Sequence, residues 1–179
     1  MPEFDVPEFD VPEFAVPEFD ESERKAFVER WVAMWESPTA PADAMAYYTE
    51  DAVIEDMAFG HTYRGHRELH EYFARAGTLF SDIRSVSAGV LVGRSHAVAH
   101  VRYGATIREP FLCLPESSRG KRFSLYVMSQ LEFAEDGRIV RSVDAYDRTA
   151  VLQQLGALPA TLLAPAEVRT PFSGPAPSA

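Results

Sequence analysis

Residues 122–146 read RFSLYVMSQLEFAEDGRIVRSVDAY. Leu125, Val127, Leu131 and Phe133 fall on alternate positions, the period of a strand with one buried face. Ser129 interrupts that row, and a hydroxyl on an otherwise apolar face marks a pocket wall. Glu135-Asp136-Gly137 then reverses the chain, since Asp-Gly is a strong hairpin signal. A second strand follows over 138–146. Upstream, 83–92 and 96–108 carry the same period and are joined at Gly93-Arg94-Ser95. The second half of the chain is therefore predicted to be a long antiparallel meander.

Before residue 83 the period changes. Residues 21–36 read as an amphipathic helix, with Phe27, Val28, Trp31, Val32 and Trp35 on one face. Asp20 or Ser22 can cap it, and Ser37-Pro38 ends it. Asp43 can cap a second, short helix ending near Tyr48, and 52–56 is a short strand. A third helix spans about 66–76 with Leu69, Tyr72 and Phe73 inward. Helices first and strands after give an α+β class. Three N-terminal helices packed on one strongly curved, mostly antiparallel sheet enclose a central pocket open at one end.

The flanks differ in kind. The first twenty residues repeat PEFDV-like units with a period of five. Pro in every unit excludes a helix interior, and the period fits neither helix nor strand. This is a low-complexity arm, either a solvated spacer or a segment whose Phe4, Phe9, Phe14 and Phe19 dock on its own domain or on a protein partner. A Pro-rich tail follows over 157–179. The body, 21–156, is one domain. Of 179 residues, 46% are apolar and 12% aromatic, enough to build a core.

Charge and cysteine content bound the function. The net charge is −10, but residues 1–23 hold nine acids and no base, which leaves the remainder at −1. No basic stripe points to nucleic acid. No apolar run approaches the ~20 residues of a membrane span, and the start lacks the basic and apolar regions of a secretory signal. The single Cys113 makes neither an internal disulfide nor a zinc cluster, so a cytoplasmic location is expected. His66 and His70 stand four apart with His61 near, but no third ligand follows at a fitting spacing, and no metal is expected.

Three stretches carry a resemblance: YYTEDAVIEDMAFG (47–60), YRGHRELHEYF (63–73) and FAEDGRIVRSVDAYDRTAVLQQLG (133–156). Together they resemble the SnoaL-like polyketide cyclases of the nuclear transport factor 2-like superfamily. Ketosteroid isomerase and limonene-epoxide hydrolase are relatives. The similarity extends over about 24–156. It implies an α+β cone with a deep apolar pocket, commonly a homodimer through the sheet. It also implies a cofactor-free cyclase or isomerase of secondary-metabolite (antibiotic) biosynthesis, acting on a small, apolar, polyketide-like substrate.

The resemblance also nominates residues. Asp56 falls where the isomerase has its general base, and a half-desolvated carboxylate suits that task. Its other reading is the end of a strand and a loop cap. The isomerase's phenol falls at about Trp31 and its protonated acid at about Ser129. Neither matches that donor pair, so steroid isomerisation is not expected. Asp144 falls on the catalytic Asp of the hydrolase's Asp-x-x-Asp ending. The hydrolase's Arg-x-Asp pair has its nearest equivalent at His100-Val101-Arg102, without the carboxylate. His100 and Arg102 share one strand face, so they act together or face solvent together. Asp147 is the third acid. Spacing from the QLG end favours Asp147 as the cyclase acid–base group, strand position favours Asp144, and Asp147 is also an N-cap candidate for a helix near Thr149. Trp31, Trp35, Tyr48, Tyr72, Arg102 and Ser129 are candidate substrate contacts, with Tyr47 and Tyr103 as further phenols. A non-catalytic ligand-binding or scaffold module is the alternative from another class. Epoxide hydrolysis, or epoxide-opening cyclisation, is a second enzymatic one.

Overall fold

The computed structural model describes residues 20–37, 40–112 and 114–159. The repeat arm up to residue 19, most of the 157–179 tail and Cys113 lie outside the described residues. Helix α1, Glu21–Met34, starts at Asp20, whose side chain accepts a hydrogen bond from the Glu23 N–H at 3.0 Å. Glu21 and Glu23 in its first turn face the positive end of the helix dipole. Val28, Trp31 and Val32 follow at helical spacing and are buried. The short helix α2, Ala40–Met45, leads into strand β1, Tyr48–Asp56. The sequence extended α2 to about Tyr48 and began the strand at 52. Tyr48 is instead already a strand residue, paired with Ile139.

Strand β2, His61–Arg64, turns back antiparallel on β1. Helix α3, Gly65–Leu79, then buries Leu69, Phe73 and Ala76 along one stripe. The four long strands follow as β3, Phe80–Val92; β4, His96–Ile107; β5, Arg122–Phe133; and β6, Ile139–Tyr146. The hairpin between β5 and β6 closes on Asp136-Gly137, with Gly137 at φ +86° and its N–H bonded to the Ala134 carbonyl. Only a residue without a Cβ takes that backbone at little cost. Helix α4, Arg148–Leu155, ends the described chain.

The six strands lie in the order β2-β1-β6-β5-β4-β3. Every pairing is antiparallel except β1 with β6, which is parallel. The sheet is α+β as expected, but it is mixed and open, with β2 and β3 as its edges, and not a closed barrel. The third helix follows β1 as expected, with the unexpected strand β2 between them. No described helix is long and apolar enough to cross a membrane.

Two apolar clusters hold the fold. One joins α1, α2 and α3 to β1 and the inner face of β4 and β5 through Val28, Leu69, Phe73, Ile54 and Leu131. The other joins the far halves of β4 and β5 to α4 through Ile107, Phe123 and Leu155. Each fully buried side chain of this size contributes about 1.5–3 kcal/mol. Between the two clusters the inner face of the sheet is left uncovered, and that gap becomes the site.

Candidate active site

The gap is a cavity of about 180 Å³ with an open mouth. A dry apolar void of roughly 150 Å³ takes one benzene ring, and this cavity is larger and open, so a longer guest can extend through its mouth. Helix α1 and its C-cap supply Trp31, Val32 and Trp35, helix α3 supplies Tyr72, Arg75 and Leu79, and the strands supply Val101, Tyr103, Leu125 and Val127. The two tryptophans wall the space instead of filling it. Phe59, Phe111 and Leu112 come from loops around it.

Two carboxylates stand in this apolar wall. Asp56 ends β1 and Asp144 lies on β6, and the two are direct partners in the parallel register. Neighbouring residues so paired present their side chains to the same face, and both line the cavity. Ser129 of β5 is the antiparallel partner of Asp144. Its hydroxyl donates to Asp144 Oδ1 at 2.5 Å. The break in the apolar row of β5 is thus the residue that holds an acid.

The two acids are held differently. Both oxygens of Asp56 are occupied: the Phe59 N–H donates to Oδ1 at 3.1 Å and the Tyr146 hydroxyl to Oδ2 at 2.9 Å. Asp144 has one donor, Ser129, and its other oxygen accepts no hydrogen bond among the described residues. Burial is the main force on Asp144, followed by an opposing contribution from Ser129 and repulsion from Asp56. Together they push its carboxyl up to about 6. A shift of that size from the ordinary value corresponds to about 3 kcal/mol between the two protonation states. Burial and then the Asp56 charge raise the Tyr146 phenol, which stays a proton donor. Tyr72 is also raised, by burial first and then by Asp144 and Asp56. Its hydroxyl has no protein partner among the described residues.

The remaining candidates separate cleanly. Trp35 and Tyr72 line the cavity. Trp31 does too, but its indole N–H donates to the Tyr48 hydroxyl at 3.1 Å, so it offers apolar surface and no donor. Tyr48 is fully buried in the core beside Ser142 and does not reach the cavity. His100 and Arg102 point the other way. Their partners on β5 are Met128 and Tyr126, both exposed on the outer face, and the His100 ring lies 4.9 Å from that of Tyr126. Neither lines the cavity. Asp147 is exposed and accepts from the Ala150 N–H at 3.0 Å as the N-cap of α4, away from the site. His66 Nε2 bonds the Tyr48 carbonyl at 3.1 Å.

Comparison with known proteins names the fold. The family described as SnoaL-like domain matches residues 28–142. The chain belongs to that family. Among solved structures, TsrD from Streptomyces laurentii matches with a TM-score of 0.67 and 23% identity, over 79% of this chain and 100% of its own. A SnoaL-like polyketide cyclase from Jannaschia sp. CCS1 matches at 0.67 and 18%, over 78% of this chain and 95% of its own. A protein with a ketosteroid isomerase-like fold from Catenulispora acidiphila matches at 0.62 and 20%, over 73% and 92%. At these identities the likeness is one of fold. No curated protein matches the sequence. Set on this SnoaL-like fold, the cavity acids come from two of its strands, and Tyr146, which donates to one of them, is a contributor that sequence reading passed over. Its signal was available, because Tyr146 lies two residues beyond Asp144 and so shares its face.

Proposed function

We propose that the protein is a cyclase or isomerase that moves a proton within a small, largely apolar carbonyl compound, with Asp144 as the acid–base group. One observation carries the reading. Asp144 stands in an apolar cavity with one carboxylate oxygen uncommitted and its carboxyl raised to about 6. General-base efficiency peaks when the pKa lies near the working pH, and Asp144 meets that condition. Asp56, with both oxygens bonded, is held beside Asp144 and adds to the burial that raises it.

The chemistry follows from these roles. Asp144 takes a proton from the carbon beside a carbonyl, and the C–H electron pair moves into an enolate. Tyr72, kept neutral by burial and by the two acids, donates its O–H to the enolate oxygen. Isomerisation ends when the Asp144 acid returns the proton to a different carbon. Cyclisation ends when the enolate carbon attacks a second carbonyl carbon of the same molecule and the new alkoxide takes that proton. The wall from Trp35 to Val127 holds a flexible chain folded, and that positioning supplies several kcal/mol. Arg102, the nearest equivalent of the epoxide hydrolase's Arg, lies on the outer face, which favours the proton-transfer reading.

The test needs no natural substrate. 2-Tetralone in D2O exchanges the protons beside its carbonyl, and NMR follows the loss of signal. The protein should accelerate exchange with a pH midpoint of about 6. Asp144→Asn should lower the rate ~10²-fold. No acceleration by the wild type, or an Asp144→Asn variant with full rate, rejects the acid–base reading in favour of binding or shape-only catalysis.

A further inference from the structure

Ser85 on β3 is 4% exposed and lines the cavity, yet its hydroxyl has no hydrogen-bond partner among the described residues. A buried hydroxyl left unpaired costs ~1–3 kcal/mol, so its persistence asks for a reason. The backbone around it is fixed. β3 is an edge strand, and the outward Ser85 N–H is taken by Glu36 Oε1 at 2.8 Å just beyond α1. The strand is bulged on both sides of Ser85, between Ser81 and Arg84 and between Ser87 and Gly89. These irregularities re-aim side chains and leave Ser85 facing in.

Its partner on β4 is Tyr103. Tyr103 also lines the cavity, packs its ring against Trp35 and Phe123, and makes no hydrogen bond among the described residues. Two neutral hydroxyl groups without partners therefore share one wall. That wall lies further along the strands than the acids. Ser129, the residue holding Asp144, pairs with Ala99 of β4. Tyr103 is four residues further along, or about 13 Å of strand. Both acids act on the Tyr72 and Tyr146 phenols, Tyr103 acts on the same two phenols, and Tyr103 itself is raised by burial alone. Val101, Leu125 and Val127 make an apolar floor between.

We infer that Ser85 and Tyr103 form a second polar subsite, which holds a hydroxyl or carbonyl oxygen at the far end of the ligand. The ligand class is then an apolar body oxygenated at both ends. One oxygen function meets Asp144 and the other meets Ser85. This rests on the cavity being the ligand site of the proposed reaction, and it adds a specificity residue on a strand the acids do not touch.

Calorimetric titration of the full chain with 2-naphthol and with 2,6-dihydroxynaphthalene tests it. The diol places oxygens at opposite ends of the ring pair, and symmetry alone gives it about a twofold advantage. One added neutral hydrogen bond raises that to about fivefold or more. In Ser85→Ala the advantage should fall back to about twofold, and Ser85→Thr, which keeps the hydroxyl, should retain it. Tyr103→Phe should act in the same direction. A wild-type advantage of only twofold, an advantage that survives Ser85→Ala, or no binding of either probe overturns the subsite. The tetralone exchange assay separates the two readings: an Asp144→Asn variant that keeps full exchange while the diol preference persists removes the mechanism and leaves the subsite standing.

Discussion

The inner and outer faces of the sheet are built from the same strands one residue out of step. Across β3, β4, β5, β6 and β1 the inner row runs Val90, Ala99, Ser129, Asp144, Asp56. The outer row beside it runs Gly89, His100, Met128, Ala145. The inner row contains two acids that share a desolvated cavity. The outer row contains an exposed imidazole and an exposed thioether that meet water. Both rows carry groups able to do chemistry, but only the inner one faces the cavity, where burial raises the Asp144 carboxyl. Strand parity therefore matters more here than residue type.

Removing a large inner side chain should show the contrast most strongly. Phe73, packed against Trp35, Tyr48 and Tyr72, should cost about 3–5 kcal/mol as Phe73→Ala. Met128→Ala on the outer face should cost under about 1 kcal/mol. Urea unfolding of both variants measures the gap, and equal losses would mean the outer face is covered.

A pH series sharpens the comparison next. Asp144 binds its proton more tightly folded than unfolded, because its carboxyl is raised to about 6. Folding is therefore favoured below the unfolded value near 4, and stability falls as the pH climbs from about 4 to about 6. Asp144→Asn escapes that loss. It should be more stable than the wild type by about 1–3 kcal/mol at pH 8 and by nothing at pH 4. A gain of the same size at both pH values would mean that the carboxyl is not desolvated. His100→Asn, on the outer face, should change neither the tetralone rate nor its pH midpoint by more than about twofold.

The smallest effect belongs to the outer ion pairs. Arg141 bridges Glu55 and Glu132 at 2.9 and 2.7 Å across three strands. All three groups are partly exposed, so Arg141→Ala should cost little, and less at high salt. A larger loss in denaturant titrations would show that this face is shielded from water.

The long strands, the Asp136-Gly137 turn and the Asp20 cap were legible in the sequence because each is a local, periodic or stereochemical signal. Strand β2 was not. His61–Arg64 is four residues long, mostly exposed and without apolar alternation, and only its register against β1 defines it. The parallel pairing of β1 with β6 joins segments some ninety residues apart, and no local pattern encodes it. That pairing is also what brings Asp56 beside Asp144. His100 and Arg102 were a question of parity. Ala97, Ala99 and Val101 supply the buried positions of β4, which consigns the alternating positions to the other side. Asp147 was equally legible as a cap, and capping is the role its geometry fills. Ser85 carried no signal of its own, because the irregularities that turn it inward appear only once β3 is paired.

The protein's two tryptophans, Trp31 and Trp35, both border the same hollow. Every indole in the chain is therefore a reporter on whatever enters it. Intrinsic emission, excited at the red edge of the indole band, should change in intensity and colour when a guest displaces solvent. No label is needed, and libraries of unmodified natural products become directly screenable by light.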